Sequence, residues 1–149
     1  MKVIAIIGEK KSGKTSLIQY LIAYLKKYGK VGCIKHAHEL DLDAAIAKDT
    51  DRFLNAGADV VIGASEQKTV KICGGKKLKE LIAEMENLGV DFVLVEGFKS
   101  SNLPKIALND FSNKEISTVI KSLDFSKDFK AREEMITEIV HLILSLDDY

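Results

Sequence analysis

Arginine is nearly missing from this chain: of 149 residues, only Arg52 and Arg132 carry a guanidinium. A kinase that closes an arginine-bearing lid over transferring phosphate is hard to build from two such side chains. Cysteine is as scarce, with Cys33 and Cys73 alone. Two thiols so far apart make neither a CxxC pair nor a disulfide framework, which suits a reducing compartment. A surplus of either charge is lacking too, since 22 lysines and arginines meet 22 aspartates and glutamates. No overall field draws the chain to nucleic acid or to an anionic membrane, so an anion has to be held by local geometry. Long apolar runs are also absent. Val3 to Ile7 is too short for the core of an export signal, and nothing approaches the roughly 20 apolar residues of a membrane span. The expectation is a cytoplasmic protein with neither a membrane nor a nucleic-acid partner.

What the chain does have is 46% hydrophobic residues, enough for a real core, and its length fits one nucleotide-binding domain over residues 1–149. Short β-branched runs alternate with longer segments of helical period, the pattern of βαβ units. The runs are "VIAII" at Val3, "VGCIK" at Val31, "VVIGA" at Val60 and "FVLVE" at Phe92. Each is apolar almost throughout, as expected of parallel strands covered on both faces. Leu17, Ile18, Leu21, Ile22 and Leu25 form one helical stripe, Leu78, Leu81, Ile82, Met85 and Leu88 a second, and Met135, Ile136, Ile139, Val140 and Ile143 a closing helix. Gly29, Gly57 and Gly89 follow periodic segments, where a left-handed glycine closes a helix. "QKTVKICGG" reads as a short strand hairpinned to the one at Val60, while "KIALN" and "ISTVI" read as late strands. The fold class that follows is α/β, a three-layer α/β/α P-loop NTPase with a mostly parallel sheet and a short antiparallel hairpin.

Gly8, four residues, then Gly13, Lys14 and Thr15 satisfy G-x-x-x-x-G-K-[ST] between a strand and a helix, the context that motif requires. Such a turn leaves successive backbone N–H groups facing inward, and the helix that starts at its end adds a positive pole. Lys14 is expected at the β and γ phosphates and the Thr15 hydroxyl on Mg²⁺, with Ser12 and Ser16 completing the contacts. Lys10 and Lys11 are not demanded by the motif and stand as helpers at most.

In an open parallel sheet, ligands bind beyond the carboxyl ends of the strands. Glu96 ends the run at Phe92, where P-loop proteins place the acid that holds Mg²⁺, and Gly97 lets the chain turn close to a ligand. Asp91, at the other end of that strand, reads as a cap or turn residue. Asp41, Asp43, Asp49 and Asp51 are candidates for a second metal sphere, with Asp43 and Asp49 also able to cap a helix running to Ala56. Arg52 is the better of the two arginines for stabilising transferred charge alongside Lys14 and Glu96. His36 follows the second strand and is a candidate for a phosphate or magnesium contact. Cys33, His36 and His38 suggest a zinc site, but the spacing fits no strong template and Cys33 is expected to be buried in its strand.

The segments "IIGEKKSGKTSLI", "CIKHAHELDLD", "AKDTDRFLNAGAD" and "DFVLVEGFKSSNLPKI", in this order, resemble the molybdopterin-guanine dinucleotide biosynthesis protein B family. The resemblance implies a GTP-binding P-loop protein with weak, Mg²⁺-dependent hydrolysis. It also implies a homodimer that assists a MobA-like molybdopterin guanylyltransferase, the enzyme that attaches GMP to molybdopterin. Lys14 and Thr15 match the phosphate and magnesium positions, and His36, Asp43, Asp49, Arg52, Glu96 and Lys99 match family positions near the nucleotide. The chain departs from the family at Glu39, where a further histidine is frequent, and at Ala45, Ile46 and Ala47, which replace a Pro-Gly pair. A helix is therefore expected to start earlier here.

Guanine-reading P-loop proteins commonly carry Asn/Thr-Lys-x-Asp, whereas Asn113-Lys114-Glu115-Ile116 ends in isoleucine, so GTP over ATP rests on the resemblance. Three functions stay open at this point: an accessory GTPase, an ATP-dependent small-molecule kinase, and a metal-delivery NTPase using Cys33, His36 and His38. The accessory reading makes the fewest demands, needing only the phosphate site and a recognition surface.

Overall fold

The computed structural model describes residues 1–37, 44–109, 116–124 and 129–149, with the side chains of all but 44–49 and 129–130. The element order is β1 (Lys2–Ile7), α1 (Lys14–Leu25), β2 (Val31–Lys35), α2 (Ala44–Asn55), β3 (Val60–Ala64), β4 (Thr69–Cys73), α3 (Leu78–Asn87), β5 (Phe92–Glu96), β6 (Lys105–Leu108), β7 (Val119–Leu123) and α4 (Phe129–Leu144). The chain forms two compact units, Met1–His36 together with Leu78–Tyr149, and Ala37–Lys77.

In the first unit the described strands make a parallel sheet in the order β2-β5-β1-β6-β7. Side chains of a strand alternate between faces, and each face finds its own cover. Ile4, Ile6, Phe92, Leu94, Ile106 and Leu108 join Leu17, Leu21 and Leu25 of α1 and Ile136, Ile139 and Ile143 of α4 in one cluster. Val3, Ala5, Ile34, Val93 and Val95 join Ile82 of α3 and Leu103 in the other. This double cover is why β1 and β5 read as unbroken apolar runs. It amounts to roughly 1.5–3 kcal/mol for each large side chain fully buried.

Register decides where the strands end relative to one another. Ile6 pairs with Glu96 on one side and Ile7 with Ala107 on the other. The loop that follows β1 therefore emerges between the ends of β5 and β6.

The second unit holds α2, packed on β3, and the antiparallel hairpin β3–β4. The hairpin turns through Ser65–Lys68, where the Ser65 N–H donates to the Lys68 carbonyl at 2.8 Å. The run at Val60 thus belongs to this hairpin and not to the parallel sheet. Val61 is buried while Val60 and Ile62 are exposed, the alternation of a strand with one open face.

Other sequence expectations shift in detail. Gly57 and Gly89 are left-handed, as a helix stop requires, but Gly29 is not. Its role is close approach: a Cβ there would lie 2.4 Å from Oδ2 of Asp91, the same oxygen that accepts the Lys30 N–H at 2.7 Å. Asp91 is therefore the turn residue the sequence suggested. Asp49 sits well inside α2 and does not cap it. The late strand starts at Val119 and not at Ile116, because Ser117 and Thr118 are engaged elsewhere.

They are engaged by Lys105, a fully buried lysine at the start of β6. Its Nζ donates to the Ser101 carbonyl, to the Leu103 carbonyl at 3.0 Å, to the Ser117 carbonyl at 3.1 Å and to Thr118 Oγ1 at 2.7 Å. Burial pushes the ammonium pKa down, and this cage of neutral oxygens replaces its water. The cage ties the chain returning from β5 to the entry of β7, and the β6–β7 pairing shifts register between Lys105 and Ile106 at that junction.

Candidate functional site

The loop from Gly8 to Gly13 joins the buried end of β1 to the first turn of α1. A Cβ on Gly8 would stand 2.7 Å from Ser12 Oγ and 3.2 Å from Leu108 Cβ, so only glycine lets the loop fold back on itself against β6. Gly13 precedes α1 with φ 93° and no side-chain cap. The helix thus opens without a side-chain cap on its first amides, the arrangement that favours an anion.

A cavity of about 380 Å³ lies over this loop, lined by Lys10, Lys11, Ser12, Gly13, Lys14, Thr15, Ser16 and Glu96. Lys14 Nζ donates to the carbonyls of Gly8 at 3.0 Å and Glu9 at 2.5 Å. Two neutral acceptors orient the ammonium without cancelling its charge. Ser12 is buried, and its Oγ has no hydrogen-bond partner among the described residues.

Across the cavity, the Thr15 hydroxyl donates to Glu96 Oε2 at 3.1 Å. These residues come from the helix after β1 and the end of β5, and the Ile6–Glu96 register brings them together. Magnesium binds oxygens at about 2.0–2.1 Å in an octahedron, whose neighbouring ligands are about 2.9 Å apart. The Thr15–Glu96 separation of 3.1 Å is that of a hydrogen bond, and it leaves the two oxygens close enough to share such an ion. Their chemistry, one carboxylate and one hydroxyl, is what a magnesium site shared with phosphate oxygens uses.

His36 adjoins this edge. Its N–H donates to the Glu96 carbonyl at 3.0 Å, and the Gly97 N–H donates to the Ile6 carbonyl at 3.1 Å, which clips β2, β5 and β1 together behind the carboxylate. Gly97 has φ 92°, and a Cβ there would press on His36 Cβ at 3.1 Å. The chain then brings Phe98 onto the imidazole, with ring centroids 4.5 Å apart. His36 and Lys99 are both exposed, and neither lines the cavity.

Arg52 lies exposed in the last turn of α2, in the second unit. Asp49 belongs to the same helix, but its side chain lies outside the described residues, as do Asp43, Asp41 and His38. Asp51 is exposed on α2. Cys33 is exposed, contrary to the sequence expectation, because β2 is the edge strand of the sheet. Partial burial of its thiol still pushes the pKa up. Among the described residues no group of three or more His, Cys, Asp or Glu side chains could hold a metal ion.

Three residues next to the site escaped the reading of the sequence by its residue types. Phe98 forms the stack on His36, Lys105 anchors the segment behind Glu96, and Asn109 Nδ2 reaches the Ser12 carbonyl at 3.4 Å. An asparagine just past an apolar strand is a turn signal, and nothing in that signal indicates a contact with the first loop.

Comparison with known proteins bears on this arrangement. A family model described as molybdopterin guanine dinucleotide synthesis protein B matches residues 3–125. A protein of Methanocaldococcus jannaschii is 37% identical over 115 residues, covering 72% of this chain and 47% of that protein. The molybdopterin-guanine dinucleotide biosynthesis adapter protein of Haemophilus influenzae is 35% identical over 111 residues, covering 71% of this chain and 62% of its own length. The chain thus spans about half the length of the first relative and less than two thirds of the second. The crystal structure of a MobB protein homolog from Bacillus stearothermophilus superposes with a TM-score of 0.74 at 19% identity, covering 98% of this chain and all of that one. That likeness supports the fold, an α/β architecture with a five-strand parallel sheet and a two-strand antiparallel sheet.

Proposed function

This chain belongs to the molybdopterin guanine dinucleotide synthesis protein B family, and from that starting point we propose that it is a GTP-binding, magnesium-dependent accessory protein of molybdopterin guanine dinucleotide biosynthesis. The observation that carries the nucleotide part is the Thr15–Glu96 pair, 3.1 Å apart at the mouth of a glycine-bounded loop that also presents Lys14. The adapter part comes from the name given to the Haemophilus influenzae relative.

Each residue of the site has a defined task in this reading. The amides of the loop and the first turn of α1 bind phosphate oxygens, and Gly8 and Gly13 keep that approach free of side chains. Lys14 adds a full positive charge where the β and γ phosphates lie. Thr15 and Glu96 are the residues that would hold Mg²⁺, which when bound would supply positive charge beside the β and γ oxygens. His36, fixed by Phe98 and by the Glu96 carbonyl, keeps the carboxylate end of β5 in place. Arg52 is the candidate for transition-state charge, and Asp43 and Asp49 are candidates for an outer magnesium shell.

Hydrolysis is slow, and the product of the system is made by a partner, a molybdopterin guanylyltransferase, with this chain acting as a homodimer. The scarcity of arginine supports an accessory role over a kinase with a phosphate-covering lid. The preference for GTP over ATP comes from the family resemblance. The test is reconstitution: with GTP and Mg²⁺, the full chain should raise the rate at which a purified molybdopterin guanylyltransferase forms the dinucleotide. An unchanged rate across a range of concentrations defeats the adapter assignment.

A further inference from the structure

Asn109 is the first residue past β6, and it meets the loop 8–13 from the side opposite Glu96. Its backbone is left-handed, with φ 56°, and its N–H donates to the Leu123 carbonyl at 2.9 Å. That bond fixes the residue against the end of β7. From there Nδ2 donates to the Ser12 carbonyl at 3.4 Å. In the order β5-β1-β6, the loop therefore has two anchored flanks, Thr15 on Glu96 at one side and Ser12 on Asn109 at the other.

A trans peptide points its C=O and its N–H in opposite directions. The bond that draws the Ser12 carbonyl toward β6 consequently turns the Gly13 N–H away from β6. Gly13 stands at the cap of α1, and its N–H belongs to the set of amides able to face an anion. Nothing on Gly13 itself fixes that plane, since it has no side chain. Ser12 does not fix it either, because its buried Oγ has no hydrogen-bond partner among the described residues.

We propose that Asn109 is a positioning residue for the phosphate loop: its amide orients the Ser12–Gly13 peptide so that the Gly13 N–H faces the phosphates. This rests on the nucleotide-site reading above. Asn109 acts on the phosphate part of the ligand and leaves the choice of base untouched.

The test uses the full chain with N109G and N109D. Glycine accepts φ 56° without cost and removes the amide without adding charge. Aspartate also tolerates that backbone but presents an oxygen to the Ser12 carbonyl. Calorimetric titrations with tripolyphosphate, GTP and ATP, each with Mg²⁺, are paired with amide spectra that follow the Gly13 N–H. N109G should lose roughly three- to tenfold in affinity, the size of one neutral hydrogen bond, by the same factor for all three ligands. N109D should lose more. The downfield displacement of the Gly13 resonance by tripolyphosphate should shrink in both, while the Mg²⁺ requirement stays as in the wild type. Unchanged tripolyphosphate affinity in N109G, with wild-type binding intact, overturns the proposal and leaves the phosphate site standing. A loss confined to GTP assigns Asn109 to the base and overturns it too. If the wild-type chain binds no tripolyphosphate, the phosphate-site reading falls and this inference falls with it.

Discussion

Thr15→Val is the most informative change at the site. Valine has nearly the shape of threonine and the same branching at Cβ, so it fits the first turn of α1 without new strain, and Thr15 is exposed. What it removes is the oxygen 3.1 Å from Glu96 Oε2. If that pair forms one edge of a magnesium octahedron, the variant loses a direct ligand. A hydrogen bond or ligand contact to a charged group is worth about 1.5–3 kcal/mol, which corresponds to roughly 10- to 150-fold in the apparent affinity for Mg²⁺. Glu96→Gln should weaken the ion comparably, because it removes the carboxylate charge and leaves an amide of similar size. If both groups serve one ion, the double variant should lose less than the sum of the two single losses. The assay is a Mg²⁺ titration of fluorescent GTP binding in the wild type, both single variants and the double variant. Thermal melting serves to confirm that each is folded. A Mg²⁺ requirement within twofold of wild type in both single variants would refute the assignment.

Other consequences are simpler to state. Lys14→Ala should abolish triphosphate binding while leaving thermal stability nearly unchanged, since among the described residues its ammonium donates to two loop carbonyls; calorimetry showing wild-type affinity would remove Lys14 from the site. Lys105→Met should cost about 2–4 kcal/mol in urea denaturation by leaving buried carbonyls without a donor, and a cost below about 1 kcal/mol would mean that the cage contributes little. Cys33 is exposed, but its thiol pKa is pushed up by burial. The thiolate is therefore scarcer at pH 7 than on an ordinary cysteine, and alkylation should be slow there and rise with pH to a midpoint above the usual value of about 8.5. Alkylation at neutral pH as fast as that of an unperturbed thiol would contradict this.

How much of this was legible in the sequence depends on how far apart the interacting residues lie. The loop from Gly8 to Thr15 is contiguous, and its flanking strand and helix announce themselves by pattern, so its place between β1 and α1 could be read directly. Glu96 was legible because it terminates an apolar run, and its partnership with Thr15 follows once β1 and β5 are neighbours in register. Strand order itself has no local signal. Cys33 therefore looked buried although β2 is an edge strand, and Val60 looked like a sheet strand although it pairs only with β4 among the described residues. The Lys105 cage was hidden for another reason: three of its four oxygens are main-chain carbonyls, which every residue carries. The Asn109 contact spans 97 positions and exists only because β6 lies beside β1.

The central claim is a magnesium-dependent site that takes GTP, and a competition titration tests it most directly. The wild-type chain, with Mg²⁺, is loaded with one fluorescent nucleotide and displaced in parallel by GTP and by ATP. The account predicts that GTP competes at least tenfold better, a difference of about 1.4 kcal/mol. Equal displacement by the two nucleotides, or better displacement by ATP, would contradict it.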